Sequence, residues 1–155
     1  MNTPVDMVKL VRDELPARPR GKACIVLTHN YVEQKAWAAE LARQSGAEQI
    51  DLLDRFAQDN ELAAKAGQML VPNFFEFLKG WRETSVLIVS GMEFLKATWS
   101  AQTRATGEFL ERIRNWRGDP GLLFAIQYDK TIATHDFGNR FRYQYVVDQR
   151  ETLAL

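Results

Sequence analysis

The chain has 155 residues, 46% hydrophobic and 26% charged, with twenty basic and twenty acidic residues and a formal net charge of zero. That length suits one domain. The balance is that of a globular protein rather than a disordered one, and no global field draws it to nucleic acid or to an anionic membrane. The single cysteine, Cys24, excludes an internal disulfide, and no apolar run reaches the length of a membrane span.

In chain order, Met1-Asn2-Thr3-Pro4 has no basic region followed by an apolar run, so no signal peptide is expected and the cytoplasm is the expected location. Thr3-Pro4 reads as an N-cap with proline at the first helical position, followed by the apolar stripe Val8, Val11 and Leu15. Pro16 to Gly21 is a basic loop that breaks this helix. Lys22 to Thr28 is an unbroken apolar run, as expected of a strand covered on both faces, with Cys24 buried in it. A helix opens at Asn30, where Asn30 and Glu33 have capping-box spacing, and stops at Gly46. Ala47 to Leu53 predicts a short second strand, with helical pattern resuming after Asp59 (Leu62, Ala63, Ala66) until Gly67 interrupts it.

A helix begins near Pro72 and stops near Gly80-Trp81. Ser85 to Ser90 is the clearest strand, and Gly91-Met92-Glu93-Phe94-Leu95 follows it. A helix is predicted over Thr103 to Trp116 with Phe109, Leu110 and Ile113 inward, then a turn at Gly118-Asp119-Pro120-Gly121 and a strand over Leu122 to Ile126. Asp129 to Asn139 reads as a polar loop, and Arg142 to Asp148 alternates like an edge strand. The alternation predicts an α/β fold: a mostly parallel sheet of about five strands flanked by helices in a three-layer sandwich, P-loop NTPase-like of the AAA+ or RecA kind. Residues 1–155 form one domain, with 1–20 an N-terminal helix and basic loop and 21–150 the core.

A phosphate-binding GxxxxGK[ST] motif belongs between the first strand and the following helix. The residues there are His29-Asn30-Tyr31-Val32-Glu33-Gln34-Lys35-Ala36. Lys35 falls on the lysine position, but both glycines and the hydroxyl are missing. Tyr31 and Val32 resist the positive φ that glycine supplies, Glu33 places a carboxylate where phosphate would sit, and Ala36 cannot ligate Mg²⁺. The strand that would end in a metal-holding aspartate ends in Ser90. These losses predict a non-catalytic site whose vestigial nucleotide-binding positions are His29, Gln34, Lys35, Ala36, Ser90 and Glu93.

The layout and short motifs resemble BrxF, the small P-loop protein of BREX-type bacterial phage-defence systems. Leu87-Ile88-Val89-Ser90-Gly91-Met92-Glu93-Phe94-Leu95 is similar to that family's Walker B region, which has aspartate where Ser90 stands and glutamate where Glu93 stands. Leu70 to Leu78 is similar to its apolar helix start, and Phe109 to Trp116 to its helix leading into the next strand. The likeness covers Lys22 to Asp148, and the family's glycine-lysine loop is absent. It implies a P-loop fold and an anti-phage complex whose other protein subunits are the partners.

His29 and His135 lie at no zinc-ligand spacing, and no serine sits in a GxSxG elbow, so neither a metal nor a catalytic residue is assigned. Arg104, Arg112, Arg114 and Arg117 cluster on or near one helix, with Arg140 and Arg142 before the last strand. Arg112 and Arg114 are the candidates to act in trans on a neighbour's nucleotide, against pairing with Glu108 and Glu111 on a solvated face. Phe74, Phe75 and Phe77 cannot share one helix side, so one or two exposed aromatics are expected between Phe74 and Trp99, rimmed by Lys79, Arg82 and Lys96 as a protein interface. The expected function is a non-catalytic interaction subunit of a bacterial defence complex, with possible self-association, no cofactor and no membrane. The alternatives are a weak or partner-activated ATPase, the one reading that needs ATP and Mg²⁺, and a nucleic-acid-binding accessory subunit.

Overall fold

A computed structural model of the chain describes residues 3–100, 104–138 and 143–155. Five strands make one sheet: β1 (Ala23–Thr28), β2 (Glu48–Asp51), β3 (Val86–Ser90), β4 (Gly121–Gln127) and β5 (Val146–Asp148). Every neighbouring pair is parallel, in the order β2-β3-β4-β1-β5. The helices are α1 (Met7–Lys9, continuing as a π-helical stretch over Leu10–Glu14), α2 (Tyr31–Ser45), α3 (Leu52–Gln58), α4 (Asn60–Lys65), α5 (Val71–Leu78), α6 (Glu93–Trp99), α7 (Ala105–Asn115) and α8 (Lys130–Ala133).

Strand side chains alternate between two faces, and both faces are apolar, so both must be covered. Ile25, Leu27, Leu87, Val89, Phe124 and Ile126 join a core roofed by α3, α5, α6 and α7. Cys24, Val26, Val86, Ile88, Leu123 and Ala125 pack under α1 and α2 through Met7, Leu10, Ala38 and Leu41. This is the expected three-layer α/β sandwich with an all-parallel sheet, and β4 separates β1 from β3.

Several elements depart from the sequence reading. The first helix is capped by Asp6, whose side chain accepts from the Lys9 N–H, and not by Thr3; Val5 instead bridges to Thr152. Asn30 caps α2 through the Val32 N–H without a reciprocal bond from Glu33. β2 ends at Asp51 because the Asp51 side chain accepts from the Asp54 N–H and starts α3 there, burying Leu52 and Phe56 one turn apart. Asp129 likewise starts α8 inside the predicted polar loop. β5 is only three residues long; Arg140 and Arg142, with Asn139 and Thr103, lie outside the described residues.

The aromatic expectation fails for a packing reason. Phe74 and Phe75 are both fully buried because α5 is enclosed: Phe74 meets Trp99 and Phe124, while Phe75 meets Phe109 and Trp116. Phe77, Trp81 and Phe94 are half-buried, with Phe77 edge-on to Phe56 and Trp81. Lys96 is paired with Asp129 at 3.0 Å, and Lys79 with Glu76. The basic loop also hides one cation: Arg18 is buried, donating to the carbonyls of Gly21 and Gln144 with its guanidinium 4.8 Å from the Tyr143 ring.

Candidate functional site

In open parallel sheets ligands bind outside the carboxyl ends of the strands, and most of the residues singled out from the sequence gather there. Only His29 and Asn30 separate β1 from α2. Asn30 ends the strand and caps the helix at once, so Tyr31 through Lys35 are already helical. A phosphate cradle is a loop whose backbone N–H groups converge on the ligand, with its lysine next to the helix start. Here Lys35 stands in the second turn, exposed, with its ammonium on the Asp54 carboxylate of α3. That hydrogen bond raises the ammonium's pKa, with lesser help from the Asp51 charge. Ala36 is exposed on the outside of α2. Among the described residues the positive-φ positions are Gly21, Gly46, Gly91 and Gly138, none of them between β1 and α2. The residues present do not fit a triphosphate and its Mg²⁺.

The crest of the sheet is filled by side chains bonded to one another. Gln34, 2% exposed, accepts the Gly91 N–H at 2.9 Å and donates to Thr28 Oγ1 and to Glu93 Oε2, both at 3.2 Å. The same Glu93 oxygen accepts the Gln127 N–H at 2.7 Å, tying α6 to the end of β4. Thr28 donates to the Gln127 side chain at 3.3 Å. Glu93 Oε1 is buried and has no hydrogen-bond partner.

Ser90 stands where an acid was expected, and the acid is one strand away. Ser90 donates to Asp51 Oδ1 at 2.8 Å, its register partner on β2, and accepts from Gln49 at 3.1 Å. Asp51 packs on the Cα of Gly91, which has φ +70°; a Cβ there would lie 2.6 Å from Asp51 Oδ1.

His29 points the other way, to the β5 edge. Its Nε2 is 3.0 Å from both Asp148 oxygens, and its ring stacks on Tyr128 at 5.3 Å. Burial opposes the Asp148 charge, but bonds from the Arg150 side chain and N–H and from His29 outweigh it and hold the carboxyl at about 2. Arg112 and Arg114 lie in the last turn of α7, which leads into the start of β4, at the opposite end of the sheet. Arg112 faces Glu108 at 4.0 Å and Arg114 faces Glu111 at 3.5 Å, while Arg114 Nε is buried without a partner.

The structure therefore joins Gln34 and Glu93 in one network and places Ser90 in a second with Asp51 and Gln49, the two meeting at the Ser90-Gly91 backbone, and it leaves the side chains of His29, Lys35, Ala36, Arg112 and Arg114 out of both. Thr28, Asp51, Asp54, Gln127 and Asp148 were missed; their shared signal is their place at or just beyond strand ends. Among the described residues no group of three His, Cys, Asp or Glu is arranged to hold a metal ion, and no helix is long and apolar enough to cross a membrane.

Fold and site together define an α/β protein with a P-loop-like all-parallel sheet whose β1–α2 junction is a cap and not a loop. Comparison with known proteins finds no matching family model, no similar curated protein and no similar solved structure.

Proposed function

We propose that this chain is a non-catalytic, degenerate P-loop-like protein that works as an interaction subunit, in a bacterial anti-phage assembly of the kind its BrxF-like layout implies. The observation that carries the reading is the two-residue junction His29-Asn30, which leaves no backbone to wrap a phosphate. The lattice of Gln34, Glu93 and Gln127 supports it by engaging the donors nearest that junction. Cytoplasmic work with other protein subunits follows from the same reading. Titration calorimetry with ATP and Mg²⁺ and a phosphate-release assay test it: no binding heat and no turnover are expected, and Lys35→Ala changes neither. Tight binding with turnover lost in Lys35→Ala would refute it.

One observation favours the alternative of a weak or partner-activated ATPase. Glu93 Oε1 is buried and unpartnered beside the crest, a costly state for a group with no use. Turnover appearing only when a partner subunit is added would select that reading.

A further inference from the structure

Among the described residues six large hydrophobics are exposed, and three of them, Tyr31, Val32 and Leu53, line one cleft of about 220 Å³ between the first turn of α2 and the start of α3. Leu53 is also the wall of a second, more open groove of about 250 Å³, lined by Phe56, Ala57, Ala63 and Phe94. α4 borders that groove and buries no residue of its own. Cleft and groove make one apolar track with Leu53 at the joint. Solvent-facing apolar residues scattered singly need no explanation, but a contiguous track does.

The track is bordered by acid. Asp51 and Asp54 line the cleft, and Glu33, Asp59 and Glu61 are exposed on the adjoining turns. Of the nearby cations, Lys35 is paired with Asp54, the Arg55 guanidinium sits 5.3 Å from the Trp81 ring, and Lys65 is exposed at the end of α4, so the acids still outnumber the bases. The Tyr31 hydroxyl registers this field: burial raises its pKa, and the charges of Glu93, Asp51 and Asp54 raise it further.

We propose that this track docks an amphipathic helix of a partner protein, one that sets a large apolar anchor over Leu53 and Val32 and turns flanking lysines or arginines toward Asp51 and the exposed Glu33, Asp59 and Glu61. The inference rests on the interaction-subunit reading and specifies where and by what chemistry the partner is held. A helix suits a track running between helices, whereas added-strand binding needs a longer open edge than the four residues of β2. The basic helix of a second copy, α7, does not fit this description, because it turns Phe109, Leu110 and Ile113 into its own core.

Fluorescence anisotropy with the full chain tests this. The probe is a labelled synthetic helix with leucine on one face and lysine on the other, and its twin carries glutamate for lysine. The lysine peptide is expected to bind at least about tenfold tighter than the twin. Leu53→Glu and Val32→Glu each weaken it by about tenfold or more with unchanged circular dichroism, and added salt weakens the wild type. Equal binding of both peptides, binding untouched by the two variants, or no binding overturns the proposal. A dimer that depends on Leu53 in sedimentation without peptide overturns it in favour of a second copy. ATP turnover by the chain alone would end the interaction-subunit reading without altering the peptide affinities, whereas peptide failure in a chain inert to ATP ends only the docking track.

Discussion

Gly91→Ala tests the packing of the crest. Gly91 has φ +70°, and an added Cβ would sit 2.6 Å from Asp51 Oδ1 and 2.9 Å from its Cγ. The left-handed backbone alone costs an alanine about 1 kcal/mol. The carboxylate must then retreat by about 1 Å to reach ordinary contact. It cannot do so without loosening two bonds: the cap on the Asp54 N–H at 3.1 Å and the Ser90 hydroxyl bond at 2.8 Å. Weakening an N-cap costs about 1 kcal/mol, and weakening a hydrogen bond to a charged group costs about as much again. The sum is about 3 kcal/mol, or a fall of roughly 6–12 °C in Tm for a chain of this size. Calorimetry of Gly91→Ala, Asp51→Ala and the double variant separates the terms. With the carboxylate gone, Gly91→Ala is expected to cost only its backbone share of about 1 kcal/mol. A cost that is the same in both backgrounds, or a single variant within about 0.5 kcal/mol of wild type, refutes the account.

Asp148 is held at about 2 against burial by Arg150 and His29. A carboxyl depressed in the folded state adds stability above its unfolded pKa and loses it as pH falls toward the folded value. Because Arg150 is largely exposed, the gain is expected near 1 kcal/mol, lost between about pH 4 and pH 2; urea melts across that window should show Asp148→Asn with a flatter acid limb, and identical limbs would discount the pair. Cys24 is fully buried and its thiol is pushed up to about 12 by that burial. A thiol reagent at pH 8 is expected to leave the native chain unmodified and to titrate one thiol only in denaturant, and rapid native labelling would show that β1 opens.

The sheet was legible because burial on both faces writes itself as unbroken apolar runs. Ala23 to Thr28 and Val86 to Ser90 are buried at every position, and each was placed to within a residue. The missed helices, α3, α6 and α8, are short and begin directly at a strand or turn end, where one aspartate or a turn decides the boundary. Asp51 and Asp129 were visible, but nothing local says that their side chains bond forward to Asp54 and Thr131. Arg18 was read only as part of a basic loop because its partners, the Gln144 carbonyl and the Tyr143 ring, lie more than 120 residues away. For the site, the sequence supplied Gln34, Ser90, Glu93 and a helix opening at Asn30, but it could not show which side chains from neighbouring strand ends these residues bond to.

Those bonds decide what the carboxyl edge can do. An edge that admits a polar ligand leaves donors and acceptors open toward solvent. Here Thr28, Asp51, Ser90 and Gln127, from the ends of four adjacent strands, bond to one another or to Gln34, Gln49 and Glu93. A phosphate entering there would have to displace bonds already satisfied in a low-dielectric setting and would meet the Asp51 and Glu93 carboxylates. Stitched in this way, the crest becomes a stiff brace that fixes the first turns of α2, α3 and α6 relative to one another. Those turns carry Tyr31, Val32 and Leu53, three of the six large apolar residues left facing solvent among the described residues. In the docking proposed above, a partner would therefore meet a preformed apolar surface, with little ordering cost on this side.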